Sequence, residues 1–230
     1  MIFLQKDQEL DCTVEKLVYE GYGLARHQKH VIFIPKTVPG DVVKVRIRYK
    51  KRRSYFAEVV SFITPSSFRS SSRCPHAAAC GGCQLVDVPY EDQLKIKQDI
   101  VHDVFKRLAP SLLDSVKAVV PADCVQYHRN KMEFSFYKGD AELALGLKKK
   151  QSFSEVISIS DCHLFSKESN DIVAFTRQFF EHTGLSVWDS HTQSGCLRHV
   201  MMRHSKHLDQ YMLVIEAASD EAIFSEFSKV

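Results

Sequence analysis

Four cysteines constrain this chain more than any other feature. Three fall in Cys74-Pro-His-Ala-Ala-Ala-Cys80-Gly-Gly-Cys83, a C-x5-C-x2-C spacing, and the fourth, Cys162, lies in Asp161-Cys162-His163. Four thiolates close a coordination sphere, and the two glycines between Cys80 and Cys83 let backbone amides point at sulfur. The set suits a [4Fe–4S] cluster and, less well, a structural zinc. No C-x2-C or H-x3-5-H pair follows at the short distance of a zinc finger. Such a centre ties residues 74–83 to Cys162 across 78 intervening residues, so that metal-binding energy becomes folding energy. Seven cysteines in all is an odd count, and reduced thiols are expected rather than a disulfide framework. For Cys12, Cys124 and Cys196 inert packing is the expectation.

The chain has 230 residues, 44% of them hydrophobic, enough for one large or two to three small domains with a real core. No run approaches the roughly 20 apolar residues that cross a bilayer, and the N-terminus lacks the basic-then-apolar order of a signal peptide. The expectation is a cytoplasmic monomer with no membrane contact. The net charge of +3 hides an asymmetry: residues 1–60 hold 12 Lys and Arg against 7 Asp and Glu, and the rest hold 19 against 21. A local positive field of this kind suits a polyanion.

Residues 1–64 read as a barrel of the OB type, with five short strands at 10–18, 24–26, 31–35, 41–49 and 55–63. In the fourth, Val43, Val45 and Ile47 alternate with Lys44, Arg46 and Arg48, which puts the apolar set inward and the cations outward. Gly21-Tyr22-Gly23 is a turn between strands, not a nucleotide loop. The serine-rich stretch 65–73 reads as a linker. Residues 74–218 read as a mixed α/β domain. It has a helix at 90–108, its stripe made of Leu94, Val101, Val104, Phe105 and Leu108, and a second helix at 165–183. Strands are expected at 116–120, 131–136, 142–147, 155–159, 197–203 and 211–217. Residues 219–230 read as the start of a further helix.

Several stretches together resemble the bacterial RNA uracil-5-methyltransferase family. They are the basic barrel, Cys74-Pro-His76 through Cys80-Gly-Gly-Cys83-Gln84-Leu85, and the following Pro89-Tyr90-Glu91-Asp92-Gln93-Leu94. Further on come Tyr127-His128-Arg129-Asn130-Lys131-Met132-Glu133-Phe134, Asp161-Cys162-His163-Leu164 and Leu197-Arg198-His199-Val200. The resemblance makes the barrel a TRAM domain and gives the ligand role to Cys74, Cys80, Cys83 and Cys162, with His76 and His163 beside them. Radical methylthiotransferases also carry such barrels, but with C-x3-C-x2-C and the barrel last.

The resemblance implies S-adenosylmethionine-dependent methylation of uridine carbon 5. A thiolate adds to carbon 6, carbon 5 takes the methyl group, and a base removes the carbon-5 proton. In that family the cofactor loop, nucleophile and base lie in a C-terminal Rossmann-like domain whose motifs do not occur in residues 1–230. The expected fold class is therefore α+β, an OB-like barrel, an iron–sulfur segment and a central α/β domain, with the methyltransferase domain absent. On that view S-adenosylmethionine binds only the intact enzyme, and this chain alone is inactive.

Lys44-Val45-Arg46-Ile47-Arg48-Tyr49-Lys50-Lys51-Arg52-Arg53 holds seven cations and no acid, with Tyr49, Tyr55 and Phe56 interleaved. Cations track phosphates and aromatics stack on unpaired bases, so Lys44, Arg46, Arg48, Lys50, Lys51, Arg52 and Arg53 are candidate RNA contacts. Arg129 and Lys131 join them by resemblance. Ribosomal RNA is the favoured partner, because the barrel and the four cysteines occur together. A stand-alone, metal-stapled RNA-binding module without catalysis is the alternative.

Overall fold

A computed structural model describes residues 3–139, 142–150, 152 and 154–229. The chain divides into two compact units, Met1–Ser72 with Gln84–Ala122, and Arg73–Cys83 with Asp123–Val230.

In the first unit, β1 (Glu9–Leu17), β2 (Gly23–His27), β3 (His30–Ile34), β4 (Val42–Lys51) and β5 (Ser54–Thr64) close a barrel in the order β1-β2-β3-β5-β4. Closure comes from antiparallel β1–β4 pairing and a parallel β3–β5 contact. Period-two alternation fills the interior with Leu10, Cys12, Val14, Ile32, Ile34, Val43, Val45 and Ile47. Burial pushes the Cys12 thiol up to about 11, which leaves it neutral and inert in the wall.

The serine-rich stretch is not a free linker. Asp41 has a fully buried carboxylate at the β3–β4 turn. It accepts hydrogen bonds from the Val38 amide at 2.7 Å, the Ser66 amide at 2.8 Å, and Nε and Nη2 of Arg69 at 2.8 and 2.7 Å. Arg69 also donates to the Lys36 carbonyl at 2.9 Å, pairs with Asp87, and lies over the Phe62 ring at 4.7 Å. A buried carboxylate is tolerated only when its lone pairs are filled in this way. Residues 66–69 are thereby clasped to the barrel.

Helix α1 (Tyr90–Leu108) carries Glu91 and Asp92 in its first turn and Lys106 and Arg107 in its last, matching the helix dipole. Its buried stripe differs from the expected one. Ile96 is buried with Ile100 beside it, against Leu17, Val38, Val88, Phe68 and Leu85. Leu108 and Val101 are exposed. The expected strand at 116–120 is absent, and the Gln98 side chain instead takes two of its backbone groups. The Val119 amide donates to Gln98 Oε1 at 2.7 Å, and Gln98 Nε2 donates to the Lys117 carbonyl. With those groups satisfied locally, no ladder is needed.

The second unit is a five-stranded antiparallel sheet in the order β10-β9-β6-β7-β8. Its strands are β6 (Lys131–Lys138), β7 (Leu143–Lys148), β8 (Val156–Ser158), β9 (Leu197–Ser205) and β10 (Gln210–Ala217). Met132, Phe134, Phe136, Leu145, Val200 and Met202 form its core with Val173 and Phe180 of α2 (Glu168–Glu181). The short α3 (Ala222–Phe227) adds Phe224 and Phe227, packed on Phe180 at ring separations of 5.8 and 5.1 Å. Among the described residues no helix is long and apolar enough to cross a membrane.

Candidate nucleic-acid interface and thiol centre

The basic run forms β4 and the turn into β5, and folding divides its charges into three groups. Lys44 meets Asp11 at 3.3 Å. Arg46 meets Glu9 at 2.7 Å and Glu58 at 3.6 Å, and Arg48 meets Asp7 at 3.0 Å and Glu58 at 2.6 Å. Strands β1 and β5 thus answer the first three cations of β4. These pairs are solvent-exposed and contribute little to stability, so the cations can exchange partners, but their field at a distance is cancelled. Lys50 is committed to rings, with Nζ 4.6 Å from the centre of Phe3 and 5.4 Å from that of Tyr55.

Lys51, Arg52 and Arg53 make no ion pair among the described residues and sit together at the hairpin tip. The positive field of the barrel is therefore concentrated there. Arg52 holds φ +57°, the left-handed region, where two-residue hairpins favour glycine or asparagine. Arg52→Gly is expected to stabilise the barrel by about 0.5–1 kcal/mol in urea unfolding. The same change is expected to weaken RNA binding and to lower its salt slope by about 0.7, the value of one phosphate held.

The aromatics split as well. Tyr55 points inward, 1% exposed, and its hydroxyl has no hydrogen-bond partner among the described residues, so its expected place on the RNA face is corrected. Period two explains the correction: Tyr55 shares the inward face with Ala57. Tyr49 and Phe56 lie outside, stacked with ring centres 4.8 Å apart.

The second unit assembles the cysteines from two loops. The residue 74–83 loop is clipped to the end of β7 by Gly81 N–H to the Lys148 carbonyl at 2.9 Å and Lys150 N–H to the Ala79 carbonyl at 2.8 Å. A Cβ on Gly81 would lie 2.8 Å from the Lys148 carbonyl oxygen, so only glycine permits that approach. Gly82 N–H donates to Cys80 Sγ at 3.3 Å, as the glycine pair predicts.

Several contacts join this loop to the Cys162 loop. Ser160 N–H donates to His76 Nε2 at 3.1 Å. Arg129 donates from Nη2 to the Gly82 carbonyl at 3.1 Å, and from its backbone amide to the Leu164 carbonyl at 2.8 Å. Cys162 N–H donates to Asn170 Oδ1 at 2.9 Å. His76 and His163 are occupied by Ser160 and by Asp161, respectively.

The four sulfurs feel one another. Burial, and then the neighbouring Cys80, Cys162 and Cys74, push the Cys83 thiol up to about 11. Burial above all raises Cys80 and Cys162, with Cys74 contributing to both. Arg129 opposes the rise at Cys80 and Cys83. Thiols that are half-buried at Cys74, Cys80 and Cys83 and buried at Cys162, and whose ionised forms repel, are a donor set suited to a cation or a cationic cluster core. Among the described residues no three His, Cys, Asp or Glu side chains stand at metal-ligating geometry. The sulfurs are thus gathered without being aimed at one point. Arg129, expected as an RNA contact, is here a support of the cysteine loop. Lys131 opens β6, exposed, opposite Arg203.

Residues 10–68 match the family described as tRNA (uracil(54)-C(5))-methyltransferase, TRAM domain. An uncharacterized RNA methyltransferase of Thermotoga maritima is 33% identical over 87% of this chain and 44% of its own length. Another, from Halalkalibacterium halodurans, is 27% identical over 95% of this chain and 47% of its own. The crystal structure of Pyrococcus abyssi tRNA (uracil-54, C5)-methyltransferase in complex with S-adenosyl-L-homocysteine matches with a TM-score of 0.69 at 21% identity, over 94% of this chain and 48% of that one. The chain spans about half the length of the curated relatives it matches.

These matches correct the expected fold class. They cover nearly all of this chain and less than half of each relative, so the fold is described by the barrel and the mixed α/β unit that the described residues form, and not by a domain counted as absent. The expected inactivity is likewise not supported by these matches, which bear on similarity alone. Residues 10–68 thus match the TRAM domain of the tRNA (uracil(54)-C(5))-methyltransferases, and nearly the whole chain is similar to about half the length of RNA methyltransferases.

Proposed function

We propose that the protein serves S-adenosylmethionine-dependent methylation of uridine carbon 5 in RNA, with ribosomal RNA as the substrate. In this reading the barrel binds the RNA, and Cys74, Cys80, Cys83 and Cys162 hold a [4Fe–4S] cluster. The observation that carries it is the TRAM match of residues 10–68, on a barrel whose uncompensated cations crowd one hairpin tip. The relationship to a methyltransferase solved with S-adenosylhomocysteine supports the methyl donor. The joining of the two cysteine loops by Arg129, His76 and Ser160 supports the cluster.

When bound, the cluster supplies a crosslink between the loops. The chain's own residues do the rest. Gly82 N–H and the Arg129 cation favour thiolate at Cys80, and the tip cations hold phosphates.

The test is to delete the gene and map 5-methyluridine in total RNA by mass spectrometry. Loss of the base from one ribosomal position is expected. Loss from transfer RNA alone would reassign the substrate. Unchanged 5-methyluridine would remove the methylation reading and leave an RNA-binding module.

A further inference from the structure

The strict alternation of β4 puts Val43, Val45 and Ile47 inside the barrel, and carried one step further it would bury Tyr49 as well. It does not. Ile47 pairs with Ala57 while Tyr49 pairs with the next residue, Phe56, so Arg48 is an extra residue in the ladder. A β-bulge of this kind re-aims the side chains beyond it. Tyr49 swings outward and is 53% exposed, with its ring lying on that of Phe56 at 4.8 Å and 10°.

Phe56 is the centre of a row of rings across the outer wall. Its partner on β3 is Phe33, with ring centres 5.2 Å apart. Tyr22 meets Phe56 edge-on at 5.8 Å and Phe33 at 6.4 Å. None of the four belongs to the barrel core.

Cross-strand packing accounts for Tyr22, Phe33 and Phe56, which are half-buried and support one another. It does not account for Tyr49. The bulge takes that ring out of the interior series and adds it to the solvent end of the stack. One ring face meets Phe56, and a side chain more than half exposed has its other face available. Two residues further on come Lys51, Arg52 and Arg53, cations without carboxylate partners among the described residues. A flat aromatic face beside a cluster of uncompensated cations is complementary to an unpaired base and its flanking phosphates.

We infer that the outer face of Tyr49, backed by Phe56, Phe33 and Tyr22, is a stacking platform for an unpaired RNA base, with Lys51, Arg52 and Arg53 holding the adjoining phosphates. The inference rests on the RNA-binding reading of the barrel and specifies single-stranded RNA as what this face takes.

The test uses the whole chain. The probes are a fluorescein-labelled single-stranded RNA ten nucleotides long and the same sequence as a blunt duplex, followed by fluorescence anisotropy over a range of salt. Tyr49→Ala is expected to weaken single-strand binding about fivefold to a hundredfold, the range of one base stack removed, without changing the salt slope. Tyr49→Phe keeps the ring and is expected to bind like the parent. Lys51→Ala with Arg53→Ala is expected to lower the slope by about 0.7 for each phosphate no longer held.

Wild-type affinity in Tyr49→Ala, with the cation variant weakened, would overturn the platform and leave a barrel that binds RNA by charge. Equal weakening on duplex and single strand would also overturn it. No binding of either RNA by the parent at low salt would remove the RNA-binding reading itself. Circular dichroism of each variant confirms folding, and Tyr49 is exposed enough that its truncation leaves the core intact.

Discussion

Asp41→Ala is expected to cost the barrel about 3–5 kcal/mol, the usual effect of removing one partner from a buried ion pair. The substitution removes four accepted hydrogen bonds at once. The Val38 and Ser66 amides lose the partner described for them, and the Arg69 guanidinium keeps Asp87, the Lys36 carbonyl and the Phe62 ring. Amide exchange reads the effect locally. Val14 N–H donates to the Asp41 carbonyl at 2.8 Å, and its exchange, with that of Val45, is expected to quicken by about two to four orders of magnitude. The chain's one tryptophan, Trp188, lies in the other unit and serves as the control, with its fluorescence transition moving less. Exchange unchanged at Val14 would mean that the clasp contributes nothing.

The second large effect reverses these readouts. Cys83→Ser is expected to abolish bound iron and acid-labile sulfide, which in the parent should stand at about four of each per chain. Cys83 feels each of the other three sulfurs, so its removal breaks the set at its centre. The joined loops are then without their crosslink. The Trp188 transition should fall by at least about 3 kcal/mol, roughly 10 °C in a domain of this size. Barrel amide exchange should stay as it was. An unchanged Trp188 transition would rule out the staple, and one tightly bound zinc in place of iron would replace the cluster by a zinc site.

The barrel was legible in the sequence because period two is a local property. All five strands can be read from alternation and from turn residues, and so can β6, β7, β9 and β10. What was not legible is everything set by pairing between distant segments. Arg69 reads as one residue of a serine-rich linker until Asp41, 28 positions earlier, is brought to it. Seven cations in ten residues read as one positive face until β1, with Asp7 just before it, sets Asp7, Glu9 and Asp11 against three of them. Residues 116–120 have strand composition, but the Val119 amide and the Lys117 carbonyl bond to the Gln98 side chain instead of to a neighbouring strand.

At the candidate site the four cysteines were readable from spacing and resemblance, and the role of Arg129 in holding their loop was not. Tyr22 and Phe33 were missed as members of the ring row. Nothing local distinguishes them from other turn and strand aromatics, and only the Arg48 bulge brings Tyr49 to join them.

A barrel closed on itself leaves no rim of backbone to be read. Each of its five strands is hydrogen-bonded on both sides, so a visitor cannot dock by extending the sheet. Whatever meets this wall must be recognised through side chains alone. The chemistry of the unit is therefore rewritable one residue at a time, without disturbing the scaffold that presents it.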